Sequence, residues 1–272
     1  VTAASTHPRL TAEGFDGVFR VCGRDDQQGL VAAEFILTRL KARRIGIVHD
    51  RTEYGRGLVE ALRQELVRRA SRVAAEASLA QGDRDFGSQV ARLKGARLDA
   101  IYFGGIFREA GYLLRQLRQA GVRALFVSGD AVLDPEFVAL AGEEAAQGAY
   151  LTSAPDPRVS VSAQPLIQRY ASRYGSLGPY VLQTYDAVGI LLRAIQAANP
   201  TARGTEELRK VVRAIRATPY EGALGTLRWD RNGDLAVAPY AVYVTKRGGP
   251  VHGWFEQLPV GALGVTRAKP DR

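Results

Sequence analysis

Apolar residues recur along this chain in two rhythms. Between residue 45 and about residue 152, short runs rich in β-branched and aromatic residues alternate with longer segments in which apolar residues return every three or four positions. The strand-like runs are 45–49, 72–79, 98–103, 124–128 and 147–152, and helical patterns lie between them at 55–70, 85–95, 108–120 and 134–141. Ala110, Leu113, Leu114 and Leu117 mark a one-sided helix that Gly121 stops. An earlier helix over about 27–41 leads into the first strand. This alternation predicts a parallel sheet covered on both faces and joined by right-handed crossovers.

Past residue 152 the pattern changes. Pro155, Pro157 and Pro165 mark a connection, and helices follow at about 163–174, 179–198 and 204–216. Strand-like runs return at 224–229, 238–245 and 250–256, the last two around a hairpin turn at Lys246-Arg247-Gly248-Gly249-Pro250. Residues 261–272 read as a frayed tail. One α/β unit is therefore complete, whereas 1–24 and about 154–233 supply a short strand pair and helices, too few strands for a second sheet. Either they pack on the first unit or they belong to a second lobe whose other strands lie outside the sequence. The absence of any Met, an initiator included, favours the second reading.

At 272 residues, 46% hydrophobic and 24% charged, the chain has the composition of an ordinary globular protein. No apolar run reaches the roughly 20 residues that a membrane-spanning helix needs, and no basic, apolar-cored leader opens the sequence. The net charge of +9 is almost all arginine, spread along helices as in Leu62-Arg63-Gln64-Glu65-Leu66-Val67-Arg68-Arg69, where it reads as solvated surface. No basic tract interleaved with aromatics and no zinc-finger spacing is present, so no nucleic-acid partner is expected. Cys22 is the single cysteine and reads as a buried, unreactive thiol. His7, His49 and His252 lie far apart, and no metal site is expected.

The richest segment is Ile45-Gly46-Ile47-Val48-His49-Asp50-Arg51-Thr52-Glu53-Tyr54-Gly55-Arg56-Gly57. A β-branched run gives way to polar residues, an aromatic and two glycines, then to a helical pattern. A parallel strand delivers its loop in this way to the carboxyl edge of the sheet, where such folds bind ligands. Gly104-Gly105-Ile106-Phe107 after 98–103 and Ser128-Gly129-Asp130 after 124–128 fall in the same class of position. Asp130 either faces a cationic ligand group or caps the helix that begins near Leu133; Tyr54 either covers a ligand or packs at its helix start. His49 and Asp50 make an unpromising acid–base pair with no nucleophile near. The lipase, P-loop and zincin signatures are all missing, and no catalytic residue is expected. In Gly178-Pro179-Tyr180, Pro179 suits the first turn of a helix, leaving Tyr180 to face a cleft while Tyr185, Val188 and Leu192 continue an apolar core stripe. Asp230-Arg231-Asn232-Gly233-Asp234 reads as a turn in preference to a calcium loop, because the spacing and closing Glu of an EF-hand are missing.

Several motifs in order carry a family resemblance: Thr2-Ala3-Ala4-Ser5-Thr6-His7-Pro8-Arg9-Leu10, Phe19-Arg20-Val21-Cys22-Gly23-Arg24-Asp25-Asp26-Gln27-Gln28-Gly29, the segment through Tyr54-Gly55-Arg56-Gly57, Asp85-Phe86 with Leu93-Lys94, Tyr102-Phe103-Gly104-Gly105, Gly142–Gly148, Gly178-Pro179-Tyr180-Val181 and Gly225-Thr226-Leu227-Arg228-Trp229-Asp230. Together they resemble the substrate-binding proteins of branched-chain amino-acid ABC transporters, of periplasmic-binding fold type I. The resemblance implies two α/β lobes, each on a doubly wound parallel sheet, with the first lobe incomplete here. Residues 1–24 and 154–233 would be its remnant, and 25–153 with 234–260 the second lobe. It also implies capture of leucine, isoleucine, valine or a related amino acid by hinge closure. The protein would be periplasmic or cell-surface and monomeric, with a membrane permease as partner and no cofactor. An amide or amino-acid sensor on the same fold is the alternative.

Carried over by position, Ala4 would offer its carbonyl and Thr6 its hydroxyl and amide to the ligand's two charged ends. Tyr54 would cover the ligand, Asp130 would meet its ammonium, and Tyr180 would line the side-chain pocket. Ile106 stands where the family has a cleft tyrosine, and Asp130 is one methylene shorter than the common Glu; both bear on which amino acid fits. The serine that completes the family's carboxylate site lies outside the sequence, so weak binding by these 272 residues alone is expected.

Overall fold

In the computed structural model, residues 1–259 are described; the expected tail at 261–272 and the last position of the expected 234–260 segment lie outside them. The strands are β1 (Ile45–His49), β2 (Val73–Ser78), β3 (Ala100–Gly104), β4 (Leu125–Ser128), β5 (Tyr150–Ser153), β6 (Tyr220–Gly222), β7 (Gly225–Leu227), β8 (Ala241–Gly249) and β9 (Gly253–Gln257). The α-helices are α1 (Arg9–Ala12), α2 (Asp25–Glu34), α3 (Glu53–Arg68), α4 (Gly87–Gly95), α5 (Phe107–Gln119), α6 (Pro135–Ala141), α7 (Glu143–Ala146), α8 (Gln164–Tyr174), α9 (Val181–Ala198) and α10 (Thr205–Ala217). They divide into two compact units: Val1–Arg24 with Asp156–Pro239, and Asp25–Pro155 with the described residues from Tyr240 on.

The second of these units holds a seven-stranded sheet in the order β2-β1-β3-β4-β5-β8-β9. Strands β1 to β5 are parallel, and β8 and β9 extend the β5 edge antiparallel. Successive side chains of a strand point to opposite faces, and here both faces are apolar. Val48, Ile101, Phe103 and Phe126 join Leu113, Leu114 and Leu117 of α5 and Phe137 of α6 in one core, where Phe126 stacks between Phe103 and Phe137 at 6.2 and 6.1 Å. Ile45, Ile47, Tyr102 and Val127 join Leu58, Leu62 and Leu66 of α3 in the other. The doubly covered sheet expected from the alternation is present.

Two local departures have clear causes. The helix expected over 27–41 changes at Phe35–Arg39 into a π turn, closed by Leu40 N–H to the Phe35 carbonyl at 3.1 Å. The wider turn lets neighbouring residues bury in different places, Phe35 with Val31 and Val242, and Ile36 with Ile45 and Leu62. The hairpin turn expected at 246–250 lies later, because β8 runs on through Gly249 with a register shift between Thr245 and Gly249. At Gly249 a Cβ would meet the Phe255 backbone at 2.6 Å, so this glycine serves a close strand crossing and not a turn.

In the other unit α9 and α10 pack with Phe19, Val21 and Leu227 in a smaller core. Within 1–24 the pairing is one parallel bridge, Thr2 to Arg20, and the short strand pair of this unit is β6 with β7. The run at 224–229 supplies β7, whose partner β6 went unnoticed because three residues are too few to display a period. Asp186 of α9 fixes their turn, its carboxylate accepting from Ala223 N–H at 2.8 Å and Leu224 N–H at 2.9 Å; burial raises its pKa. Contrary to expectation, Tyr185 is not core: with Val188 and Leu192 it is half or more exposed. Helical spacing marks one apolar face but does not say what covers it.

Candidate functional site

The loop after β1 is built from the inside. Asp50 is buried, and its Oδ1 accepts from Thr52 N–H at 3.0 Å and Thr52 Oγ1 at 2.6 Å. That turns the chain through Arg51, which takes φ +65°. The Thr52 hydroxyl then caps α3 by accepting from Gly55 N–H at 2.9 Å. At Gly55 a Cβ would lie 2.5 Å from the Gly104 carbonyl oxygen, so only glycine lets the start of α3 approach the end of β3 this closely. Tyr54 sits at this junction, half-buried and packed against the α3-side core.

Its hydroxyl donates to Asp130 Oδ1 at 2.9 Å and accepts from Ala131 N–H at 3.4 Å. Burial first, then the negative charges of Asp130 and Asp25, push the Tyr54 pKa well above that of a free phenol, so the hydroxyl keeps its proton and donates. Asp130 is not the helix cap: Asp134 caps α6, accepting from Glu136 N–H at 2.8 Å. The two residues singled out separately in the sequence are thus one hydrogen-bonded pair at the carboxyl edge of β1 and β4. Ile106 is half-buried at the start of α5, just past β3, which lies between those strands.

A ladder of polar groups fixes this edge, and the sequence reading missed it. Gln28 Nε2 donates to the Thr152 carbonyl at 2.7 Å and to Thr152 Oγ1 at 3.1 Å. Thr152 Oγ1 donates to the Ser128 carbonyl at 3.1 Å, and Ser128 Oγ to the Phe103 carbonyl at 2.7 Å. All three side chains are buried. A polar residue interrupting an apolar run at a strand end was the available signal.

The His49 ring is engaged by the loop that follows it. Its Nδ1 accepts from Arg51 N–H at 3.1 Å, and burial lowers its pKa from the usual 6.5. The folded state therefore holds the neutral ring more firmly than the unfolded chain does. Its stabilising contribution is complete above pH 6.5 and is lost as pH falls through the folded pKa. His49→Gln is expected to flatten the decline in urea midpoint between neutral and mildly acidic pH; an unchanged profile would assign that decline to other groups.

In the other unit Ala4 and Thr6 share one loop, Ala4 exposed and Thr6 buried. Tyr180 is not inside a helix begun by Pro179. It is the residue before α9, with φ +59° and ψ +11°, a left-handed conformation uncommon for an aromatic residue. Its carbonyl accepts from Thr184 N–H at 2.9 Å and Thr184 Oγ1 at 2.8 Å. Asp230 Oδ1 accepts from Asn232 N–H at 2.9 Å and Asp234 N–H at 3.0 Å, which makes 230–234 a closed turn. Among the described residues no cluster of three or more acidic, His or Cys side chains suits a metal, and no helix is long and apolar enough to cross a membrane.

A parallel sheet with small, polar and aromatic residues gathered at its carboxyl edge holds them where doubly wound folds bind small molecules. The chain belongs to the Periplasmic binding protein family, whose sequence model matches residues 1–250. It is 34% identical over 262 residues to an amino acid binding protein of Pseudomonas aeruginosa, covering 95% of this chain and 67% of that protein. It is 33% identical over 249 residues to Leu/Ile/Val-binding protein homolog 1 of Brucella abortus, covering 91% and 66%. The crystal structure of a leucine binding protein, LivK, from Thermotoga maritima superposes with a TM-score of 0.83 at 30% identity, over 95% of this chain and 71% of that one. The chain spans about two-thirds of the length of the curated relatives it matches.

Proposed function

We propose that this chain is part of a substrate-binding protein of an ABC importer that takes up a branched-chain or related amino acid in the periplasm or at the cell surface, without transforming it. The Tyr54–Asp130 pair supports this reading most directly. A carboxylate held by a neutral tyrosine at a sheet's carboxyl edge suits the ammonium group of an amino acid. The names of the relatives above, leucine and Leu/Ile/Val binding proteins, point to the same ligand class. In this reading Asp130 meets the ammonium, Tyr54 lies over the ligand, and Ile106 narrows the side-chain space. Ala4 offers its carbonyl and Thr6 its hydroxyl and amide to the ligand's two charged ends, with Tyr180 beside the aliphatic part. The protein acts as a monomer that hands its cargo to a membrane permease.

Calorimetric titration of the full-length natural protein with leucine, isoleucine and valine tests this. Saturable heat with at least one of them is expected. No heat with any aliphatic amino acid would overturn the proposal, and tight uptake of small amides instead would favour a ligand-sensing role for the same fold.

A further inference from the structure

Arg20 has a fully buried side chain and is not among the proposed ligand contacts. Its backbone is held on both sides: Arg20 N–H donates to the Gly233 carbonyl at 3.0 Å, and its own carbonyl accepts from Trp229 Nε1 at 2.9 Å. The guanidinium makes four contacts. One Nη donates to the Ser5 carbonyl at 2.7 Å; the other donates to the His7 carbonyl at 3.1 Å and to Thr11 Oγ1 at 2.8 Å. Nε lies 2.6 Å from Asp234 Oδ1. Asp234 is nearly buried as well; it accepts from Thr11 Oγ1 at 2.8 Å and pairs through Oδ2 with Arg24 at 2.7 Å.

The two carbonyls that Arg20 holds flank Thr6 on either side. In a trans peptide the carbonyl and the following N–H point in opposite directions. Anchoring the Ser5 carbonyl on the guanidinium therefore turns the Thr6 N–H away from it, and anchoring the His7 carbonyl fixes the far end of the same loop. We infer that Arg20, held by Asp234, is a positioning residue that presets the Ala4–His7 loop for the carboxylate end of an amino-acid ligand. This rests on the proposed ligand role of Thr6. Arginine suits the task because a planar fork with donors on several edges reaches two carbonyls, a hydroxyl and a carboxylate at once; an ammonium on a flexible stem does not. Cys22 joins the same loop, its thiol lying 3.6 Å from the Ser5 carbonyl.

The test is a double-mutant cycle in the full-length natural protein, using Arg20→Lys, Thr6→Ala and both together. Arg20→Lys is expected to weaken leucine binding by roughly tenfold or more in the parent and by a clearly smaller factor in the Thr6→Ala background, where the hydroxyl is gone and only the backbone N–H at position 6 is left for the loop to position. A loss of the same size in both backgrounds, or a change within about twofold in the parent, would overturn the inference. A second measurement does not need the ligand: amide exchange at Ser5–His7 is expected to speed up in Arg20→Lys while amides of α9 keep their rates. Unchanged exchange in that loop would sink the inference even if the parent binds leucine. If the parent binds no amino acid, the functional reading fails separately and the exchange result decides the loop.

Discussion

Asp130→Ala is expected to weaken amino-acid binding by about 100-fold or more in the full-length natural protein. Truncating one partner of a desolvated charge pair costs roughly 2–5 kcal/mol, and each 1.4 kcal/mol is about a factor of ten in affinity. The proposed charge pair sets a ligand ammonium against a carboxylate that Tyr54 already orients at 2.9 Å. Tyr54→Phe removes that orienting bond but keeps the ring, and is expected to cost about one factor of ten, the range of a hydrogen bond to a charged group. Titration calorimetry of both variants separates them. Equal losses would mean that the tyrosine ring carries the interaction, and an Asp130→Ala protein that binds like its parent would remove Asp130 from the site.

The largest effect on stability is expected at Asp234. Asp234→Ala withdraws one carboxylate from Arg20, Arg24 and Thr11 together and leaves the Arg20 guanidinium buried without its counter-charge. Breaking one side of a buried pair costs about 3–5 kcal/mol, whereas replacing both sides with well-packed apolar residues is often neutral. Urea denaturation followed by a probe near Trp229 reads this, since the indole Nε1 bonds the Arg20 carbonyl. An early transition is expected, with the seven-stranded unit unfolding at its usual midpoint. A midpoint within experimental error of the parent's would show that Asp234 contributes little beyond packing.

The parallel sheet was legible because its inner strands β1, β3 and β4 are short apolar runs bounded by helical patterns. Burial on both faces demands that composition. Ile45, Ile47 and Val48 announce β1 whatever they pack against. The elements that were missed or displaced have weaker local signatures. β6 is three residues long, and the π turn at Phe35–Arg39 exists to send Phe35 and Ile36 into separate cores. Gly249 looks like turn chemistry until the Phe255 backbone lies against it. Tyr185, Val188 and Leu192 show why an apolar stripe is a statement about one face of a helix and not about what lies opposite.

At the candidate site the divide is similar. The sequence by itself determined which strand ends would gather at one edge and that Tyr54, Ile106 and Asp130 would lie on them, because strand polarity and right-handed crossovers leave few alternatives. It also placed Ala4 and Thr6 in one loop. Only the tertiary structure decided that the Tyr54 hydroxyl is bonded to Asp130 76 positions away, that Asp134 and not Asp130 caps the next helix, and that Arg20 clasps Ser5 and His7 while sharing the carboxylate of the distant Asp234. Periodicity reports which face of an element is apolar. Which polar groups meet across the fold depends on distances that appear only once the chain has closed on itself, when most buried donors find acceptors.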